Sequence, residues 1–241
     1  MQASLQPAYL LHRRPYRESS QLLELFTAEH GRVGVVARGL RRRSRGGSPG
    51  ALLQPFSPLL VGLVGRGELK TLAGVESGGG LAPLRGDALL SGLYVNELLV
   101  RLLHRDDPQP AVFASYATVL GALADAAPVE PALRRFEGEL LEALGYAFAL
   151  DHDALAGTPV EATRRYIFEP GVGLRAQRPG AAGTSFAGED LLRAAAGDFT
   201  GSAGRAAKGI LRSALRELLG ERPLRSRQLF LRRRERSREG S

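Results

Sequence analysis

The chain has 241 residues, 33 Lys and Arg against 25 Asp and Glu for a formal net charge of +8, 44% hydrophobic residues, no Cys and no Trp. This content is ample for one large or two small packed domains and excludes disorder throughout. The lack of Cys excludes disulfides, thiol nucleophiles and thiolate zinc sites. No apolar run approaches the roughly 18 residues of a membrane span, and the N-terminus lacks a basic start followed by an apolar stretch, so the expectation is a soluble, cytoplasmic chain with no membrane partner.

Charge is unevenly distributed. Residues 1–80 carry 11 Lys/Arg against 5 Asp/Glu, residues 81–203 carry 10 against 16, and residues 204–241 carry 12 against 4. Two basic ends around an acidic middle point first to nucleic acid, because phosphate neutralisation and counterion release need only clustered Lys and Arg.

From Pro7 to Val75 the chain breaks into short runs rich in Leu, Val and Phe separated by turn residues, which predicts strands over residues 8–12, 21–26, 32–37, 56–64 and 69–75. His30-Gly31 and Gly65-Arg66-Gly67 are hairpin signals, and Gly34 and Gly62 fall inside strands where a barrel must bend. The fold class expected is α+β: a five-stranded N-terminal barrel of the oligonucleotide-binding (OB) type, with an SH3-like barrel as the alternative. After Gly78-Gly79-Gly80 the period changes to near 3.6, marking a boundary between a barrel domain (1–80) and a helical domain (81–241). Helices are predicted over 87–104, 110–127 and from Glu130-Pro131 to a Gly145 cap. Residues 151–187 lose this period and form a small zinc-free insertion with a hairpin at 164–171; helices resume over 190–196 and 204–219, and residues 232–241 read as a frayed basic tail.

Arg38, Arg41, Arg42, Arg43 and Arg45 form a Gly-bounded basic loop with no acid among them, suited to pairing with phosphate oxygens. Five such contacts on a single strand would give a salt slope of about −3.5. Tyr9, Tyr16, Phe26 and Phe56 are the aromatics available for base stacking, and strand aromatics are more often core; Tyr16, beside Arg13, Arg14 and Arg17, is the one expected at the surface. Lys70 extends the same basic face. In the last long helix Arg205, Lys208, Arg212 and Arg216 form one stripe opposite Ala207, Leu211, Ala214 and Leu218, a polar face almost wholly of one sign that fits an acidic partner. Asp151-His152-Asp153 lacks a second nearby His and reads as a solvated turn, not a metal site. No phosphate-cradling Gly motif and no carboxylate–His constellation is present, so neither an enzyme nor a cofactor is expected.

Taken in order, Ala8-Tyr9-Leu10-Leu11-His12, Glu18-Ser19-Ser20, Phe26-Thr27, Gly31-Arg32-Val33, Ala37-Arg38-Gly39, Leu53-Gln54-Pro55-Phe56 and the run Gly65 to Thr71 carry a resemblance. It continues through Ser91 to Leu99, Pro131 to Glu137, Leu144-Gly145-Tyr146, Arg205-Ala206-Ala207-Lys208 and Pro223 to Phe230. Together they resemble the RecO family of bacterial recombination mediators, particularly its cysteine-free members. The resemblance implies an OB barrel, a helical domain and an insertion that in some relatives is a four-cysteine zinc module, which the cysteine-free residues 151–187 do not carry over. It implies binding of single- and double-stranded DNA, annealing of complementary strands, and cooperation with RecR in loading RecA onto strands coated by single-stranded DNA-binding protein (SSB), with a cytoplasmic, nucleoid-associated location. It also implies capture of the acidic, Phe-ending SSB tail in a pocket of the helical domain; Arg134 and Arg205 match basic positions there, with Lys208 as a neighbour. An RNA-binding barrel protein and a pure protein adaptor are the alternative readings.

Overall fold

The computed structural model describes residues 4–18, 20–40, 49–125, 127–178, 180 and 183–239. They form two compact units, one of Met1–Ala127 with Pro223–Ser241 and one of Pro128–Arg222.

In the first unit, β1 (Leu5–Tyr16), β2 (Ser20–Thr27), β3 (Gly31–Arg38), β4 (Leu59–Val64) and β5 (Leu69–Ser77) close a barrel in the order β1-β2-β3-β5-β4. Among the described barrel strands, only the β3–β5 pairing is parallel (Gly34↔Leu69 to Val36↔Thr71), and a parallel pair cannot be joined by a tight turn. The chain therefore leaves β3, passes the short helix α1 (Pro49–Leu52), and crosses through β4 before pairing back. This is the OB-type barrel expected, with its strands where the period-two pattern placed them. Phe56 falls just outside β4, at a turn with φ of +70°.

The barrel interior is filled by Ala8 and Leu10 of β1, Leu23 and Leu25 of β2, Val33, Val35 and Ala37 of β3, and Leu59 and Val61 of β4. Between Leu10 and His12 the β1–β2 register slips by one residue, a bulge. Its effect on side-chain direction follows from the pairing: Tyr9 lies opposite Phe26, and after the bulge His12, Arg14 and Tyr16 lie opposite Glu24, Leu22 and Ser20. All four partners are even-numbered and share one face of β2, so the bulge turns His12, Arg14 and Tyr16 outward alongside Tyr9. Without it Arg13 would take that face.

Helices α2 (Gly86–Leu102) and α3 (Pro110–Ala124) belong with the barrel. Tyr9 and Phe26 meet Phe113 and Tyr116 of α3, with Tyr9 edge-on to Tyr116 at 5.0 Å. Within this contact the buried Asn96 of α2 donates its amide to the Leu11 carbonyl (3.0 Å) and accepts from the Tyr116 hydroxyl at 2.6 Å. Leu11 is the residue the bulge drops from the register, so Asn96 supplies a partner to a carbonyl at the break in the ladder.

The tail expected to fray is instead a helix, α7 (Arg225–Glu239), packed on α2. Its first backbone amides, of Arg225 and Ser226, donate to the Glu97 carboxylate at 2.9 Å each, and the Ser226 hydroxyl does so at 2.7 Å. Burial opposes the charge on Glu97, but these bonds and nearby Arg101 outweigh it and hold the carboxyl below its ordinary value. A carboxylate at a helix N-terminus satisfies orphan amides and complements the dipole. This cap comes from another helix, which is why local reading missed it.

The second unit packs α4 (Val129–Ala143), α5 (Gly188–Ala195) and α6 (Gly201–Leu219) with a sheet of order β7-β6-β8, formed by β6 (Arg165–Glu169), β7 (Gly173–Ala176) and β8 (Ser185–Ala187). The expected hairpin is β6–β7; the third strand was not foreseen because Ser185–Ala187 is too short to show a period, and it is placed by Tyr166 pairing with Phe186. Gly145 follows α4 at φ of +82°, the left-handed cap conformation. Asp153 is not a solvated residue: it is 6% exposed, and its carboxylate accepts from the amides of Leu155, Ala156 and Ala176 at 2.7–3.0 Å, tying the turn to β7. Burial disfavours its charge, yet the three amides prevail and depress its pKa.

Two outcomes follow from these buried networks. Asn96→Ala leaves the Leu11 carbonyl and the Tyr116 hydroxyl unpaired and is expected to cost roughly 2–6 kcal/mol, at ~1–3 per buried orphan, in chemical denaturation; a change within error would refute the lock. For Asp153, a depressed native pKa means stabilisation that is complete above the unfolded value near ~3.9 and is lost as pH falls through the native one. Asp153→Asn should therefore lose about 1–3 kcal/mol at neutral pH and flatten the acid limb of the Tm profile.

Candidate nucleic-acid interface

The outer face of β1, β2 and β3 consists of four cross-strand rows given by the register: Tyr9–Phe26–Arg32, His12–Glu24–Gly34, Arg14–Leu22–Val36 and Tyr16–Ser20–Arg38. The first row includes the rings covered by Phe113 and Tyr116, so Tyr9 and Phe26, with Phe56 on the core side, are buried and do not stack on bases. The last row is open. Tyr16 is half-buried, Arg38 is exposed, and the Arg17 guanidinium lies 5.2 Å from the centre of the Tyr16 ring. These residues with Glu18, Ser20 and Val36 line a concavity of about 400 Å³.

The predicted basic residues separate on inspection. Arg14, Tyr16 and Arg38 share the outer face, and the side chains of Arg14 and Arg38 make no hydrogen bond or ion pair among the described residues. Arg13 lies opposite Leu23, on the other side of β1, and donates Nη1 to the Leu53 carbonyl at 3.2 Å. Lys70 is largely buried and ion-paired with Asp106, so its charge is already met. Arg41, Arg42, Arg43 and Arg45 lie outside the described residues.

Sequence reasoning passed over a second concavity of about 270 Å³ on the same face, lined by His12, Arg14, Glu24, Arg32 and Arg105 with apolar walls. Glu24 takes ion pairs from both Arg32, at 3.4 Å, and Arg105. Burial lowers the Arg32 pKa, Glu24 works against that, and Arg105 adds to it. The Arg32 spacing, two rows of period two from Val36, was visible in the strand; Arg105, in the connector between α2 and α3, had no local signal.

In the second unit Arg134 and Lys208 come together and Arg205 sits one turn before Lys208 on α6. Arg134 is 3% exposed and donates Nη2 to Glu137 at 2.7 Å, with Nη1 4.0 Å from Glu130. Its Nε and Nη1 have no hydrogen-bond partner among the described residues. Lys208 reaches the same Glu130 at 2.5 Å, while Arg205, Arg212 and Arg216 are exposed. Glu130 is partly desolvated, which raises its pKa, but Lys208, Arg134 and Arg212 more than reverse this. The opposite side of α6, including Ala207, Ile210, Leu211, Ala214 and Leu215, is buried. One basic cluster therefore has both a recessed member and an outward stripe.

Asp151 and His152 are exposed and bonded to each other at 3.0 Å, and no three His, Cys, Asp or Glu residues among the described residues are grouped to hold a metal. No helix among the described residues is long and apolar enough to cross a membrane.

Comparison with known proteins accords with this architecture. Residues 1–79 match the family model for the recombination protein O N terminal region and residues 84–228 that for the recombination protein O C terminal region. The compact units divide the chain elsewhere, since α2, α3 and α7 pack with the barrel. The DNA repair protein RecO of Pseudomonas paraeruginosa (strain PA7) is 49% identical over 241 residues, covering 98% of this chain and 99% of that one. The DNA repair protein RecO of Stutzerimonas stutzeri (strain A1501) is 48% identical over 230 residues (94% and 93%), and that of Nitrosospira multiformis 43% over 229 residues (93% of each). With both family models matched in order and such identity over nearly its full length, the chain belongs to the RecO family of DNA repair proteins.

Proposed function

We propose that this protein is a non-enzymatic recombination mediator whose barrel binds DNA and whose second unit recruits protein partners. The observation that carries the reading is the open end of the β1–β3 face, where Arg14, Tyr16 and Arg38 stand together and neither arginine is neutralised by a described residue. Strands β2 and β3 of an OB barrel with the adjoining β1–β2 loop form the surface that oligonucleotides use in this fold, and a half-buried tyrosine between guanidinium groups supplies a ring beside phosphate contacts. The arginine-rich segment 41–45 continues from the end of β3 in sequence and adds charge to the same reading. Contacts to phosphate serve single and double strands alike. Annealing follows because arginines that screen two strands remove the repulsion opposing their encounter, with no need for ATP.

The family supports the wider role: with RecR, the protein promotes loading of RecA onto SSB-coated single strands. For the SSB tail, the cluster of Arg134, Arg205 and Lys208 is the favoured receptor. A recessed guanidinium with unspent donors suits a terminal carboxylate, and the exposed α6 stripe suits the acidic residues before it.

Fluorescence anisotropy of a labelled single strand against salt tests the DNA surface. Arg14→Ala and Arg38→Ala should each weaken binding and reduce the slope by about 0.7, and replacing Arg41, Arg42, Arg43 and Arg45 together by Ala should reduce it by about 2.8; an unaltered slope in all three would remove this face from the mechanism. For the tail peptide, Arg205→Ala and Lys208→Ala are expected to lose about 1.4- to fivefold each, as exposed pairs contribute roughly 0.2–1 kcal/mol. Wild-type affinity in both would discard the proposed receptor.

A further inference from the structure

The concavity beside Glu24 carries more positive charge than its structural contacts consume. Arg32, Arg105 and Arg14 surround a single carboxylate, with His12 at the same row. Glu24 is shared by Arg32 and Arg105, and Arg14 makes no side-chain bond among the described residues. Arg32 Nε is buried with no hydrogen-bond partner among the described residues. A guanidinium has five donors in a fixed fork, and one carboxylate cannot occupy those of two arginines; tetrahedral phosphate oxygens can take the remainder.

The arginine that lies outside the barrel is held in place by backbone. Arg105 forms a bridge with Arg32, and the Asp106 amide donates to the Arg32 carbonyl at 2.9 Å. The connector also presses so closely on Gly31 that a Cβ there would stand 1.8 Å from the Asp107 carbonyl oxygen. Gly31, at φ of +64°, is thus required both for its conformation and for this approach. Arg105 is presented by a rigid turn, which lowers the entropy cost of using it.

From these observations we infer that His12, Arg14, Arg32 and Arg105 form a seat for a backbone phosphate of a bound nucleic-acid strand, and that Glu24 is the internal counter-ion the phosphate displaces from Arg105. The seat rests on the strand-binding reading above and deepens it. It lies on the same face as Tyr16, Ser20 and Arg38, two rows or about 13 Å away along the strands at ~3.3–3.4 Å per residue. A strand entering at Arg38 passes Arg14 and reaches Arg105, so the path runs off the barrel onto the α2–α3 connector.

The test uses the full chain, a labelled oligothymidylate, and anisotropy over a salt series, with thermal unfolding as a fold control. Arg105→Gln should weaken binding and reduce the salt slope by about 0.7, whereas Glu24→Gln should tighten binding and steepen it. The double variant Glu24→Gln/Arg105→Gln separates contact from background field: it should lose the same slope increment relative to Glu24→Gln alone. If Arg105→Gln has no effect in either background while Arg38→Ala still weakens binding, the network only anchors the connector and the seat is refuted with the strand-binding face intact. If no variant, Arg38→Ala included, alters binding, the face itself is wrong. Calorimetry with inorganic phosphate alone addresses the other source of the same chemistry. Saturation that depends on Arg105, with oligonucleotide binding indifferent to Arg105→Gln, would assign the seat to free phosphate and overturn the strand. Should Glu24→Gln fail to fold, the exposed Arg105→Gln and Arg14→Gln variants still decide the matter, each expected to lose about 0.7 of slope.

Discussion

The Asn96 side chain, bonded at one end to the Leu11 carbonyl and at the other to the Tyr116 hydroxyl, is the contact on which the barrel unit depends. It joins β1, α2 and α3 in a place that excludes water, where each missing hydrogen bond would be costly. Burial, with Tyr9 adding to it, pushes the Tyr116 pKa well up and keeps the hydroxyl a proton donor. Because the bonded carbonyl belongs to the bulged residue, the same contact stabilises the local irregularity that turns His12, Arg14 and Tyr16 outward. Core packing and the aim of the basic side chains are therefore not separable: one end of the outer face is sealed by Tyr9, Phe26, Phe113 and Tyr116, and this leaves the other end to carry charge.

Net charge is a poor guide to which basic residues remain available. Glu24, Asp106 and Glu130 each engage at least one cation, and Lys70 is consumed by Asp106 while Arg13 bonds a backbone carbonyl. Arg14 and Arg38, on the outer face of β1, β2 and β3, keep no such partner among the described residues. The second unit makes a different use of the same chemistry, gathering Arg134 and Lys208 around Glu130 with Arg205, Arg212 and Arg216 exposed beyond them. Charges of this kind act on approach and orientation more than on raw affinity.

Residues 151–187 are tied together by hydrogen bonds centred on one buried carboxylate. Three backbone amides converge on the Asp153 carboxylate and draw its turn against β7, while Phe148 packs on Phe168 with ring centres 4.7 Å apart. The same segment shares an apolar core with α5 and α6, in which Val160, Tyr166 and Leu174 pack with Leu191 and Ile210.

The period-two runs and glycines of the first 80 residues, and the 3.6 period beyond, were enough to specify a small five-stranded barrel, OB-type or SH3-like, followed by helices, because alternation of apolar residues reports directly on which face is buried. Motifs spread over nearly the whole length carried a resemblance to the RecO family, which the matching family models then showed. Three things were decided only by tertiary structure. The bulge after Leu10 put Arg14 and not Arg13 on the outer face, since register depends on the partner strand. Helix α7 owes its N-terminal cap to Glu97 of α2, more than a hundred residues away in sequence. The seat around Glu24 needed Arg105 from a connector that only the fold brings to β2 and β3. Local patterns encode what a residue prefers, but hydrogen-bond partners and neutralising charges are set by where distant segments meet.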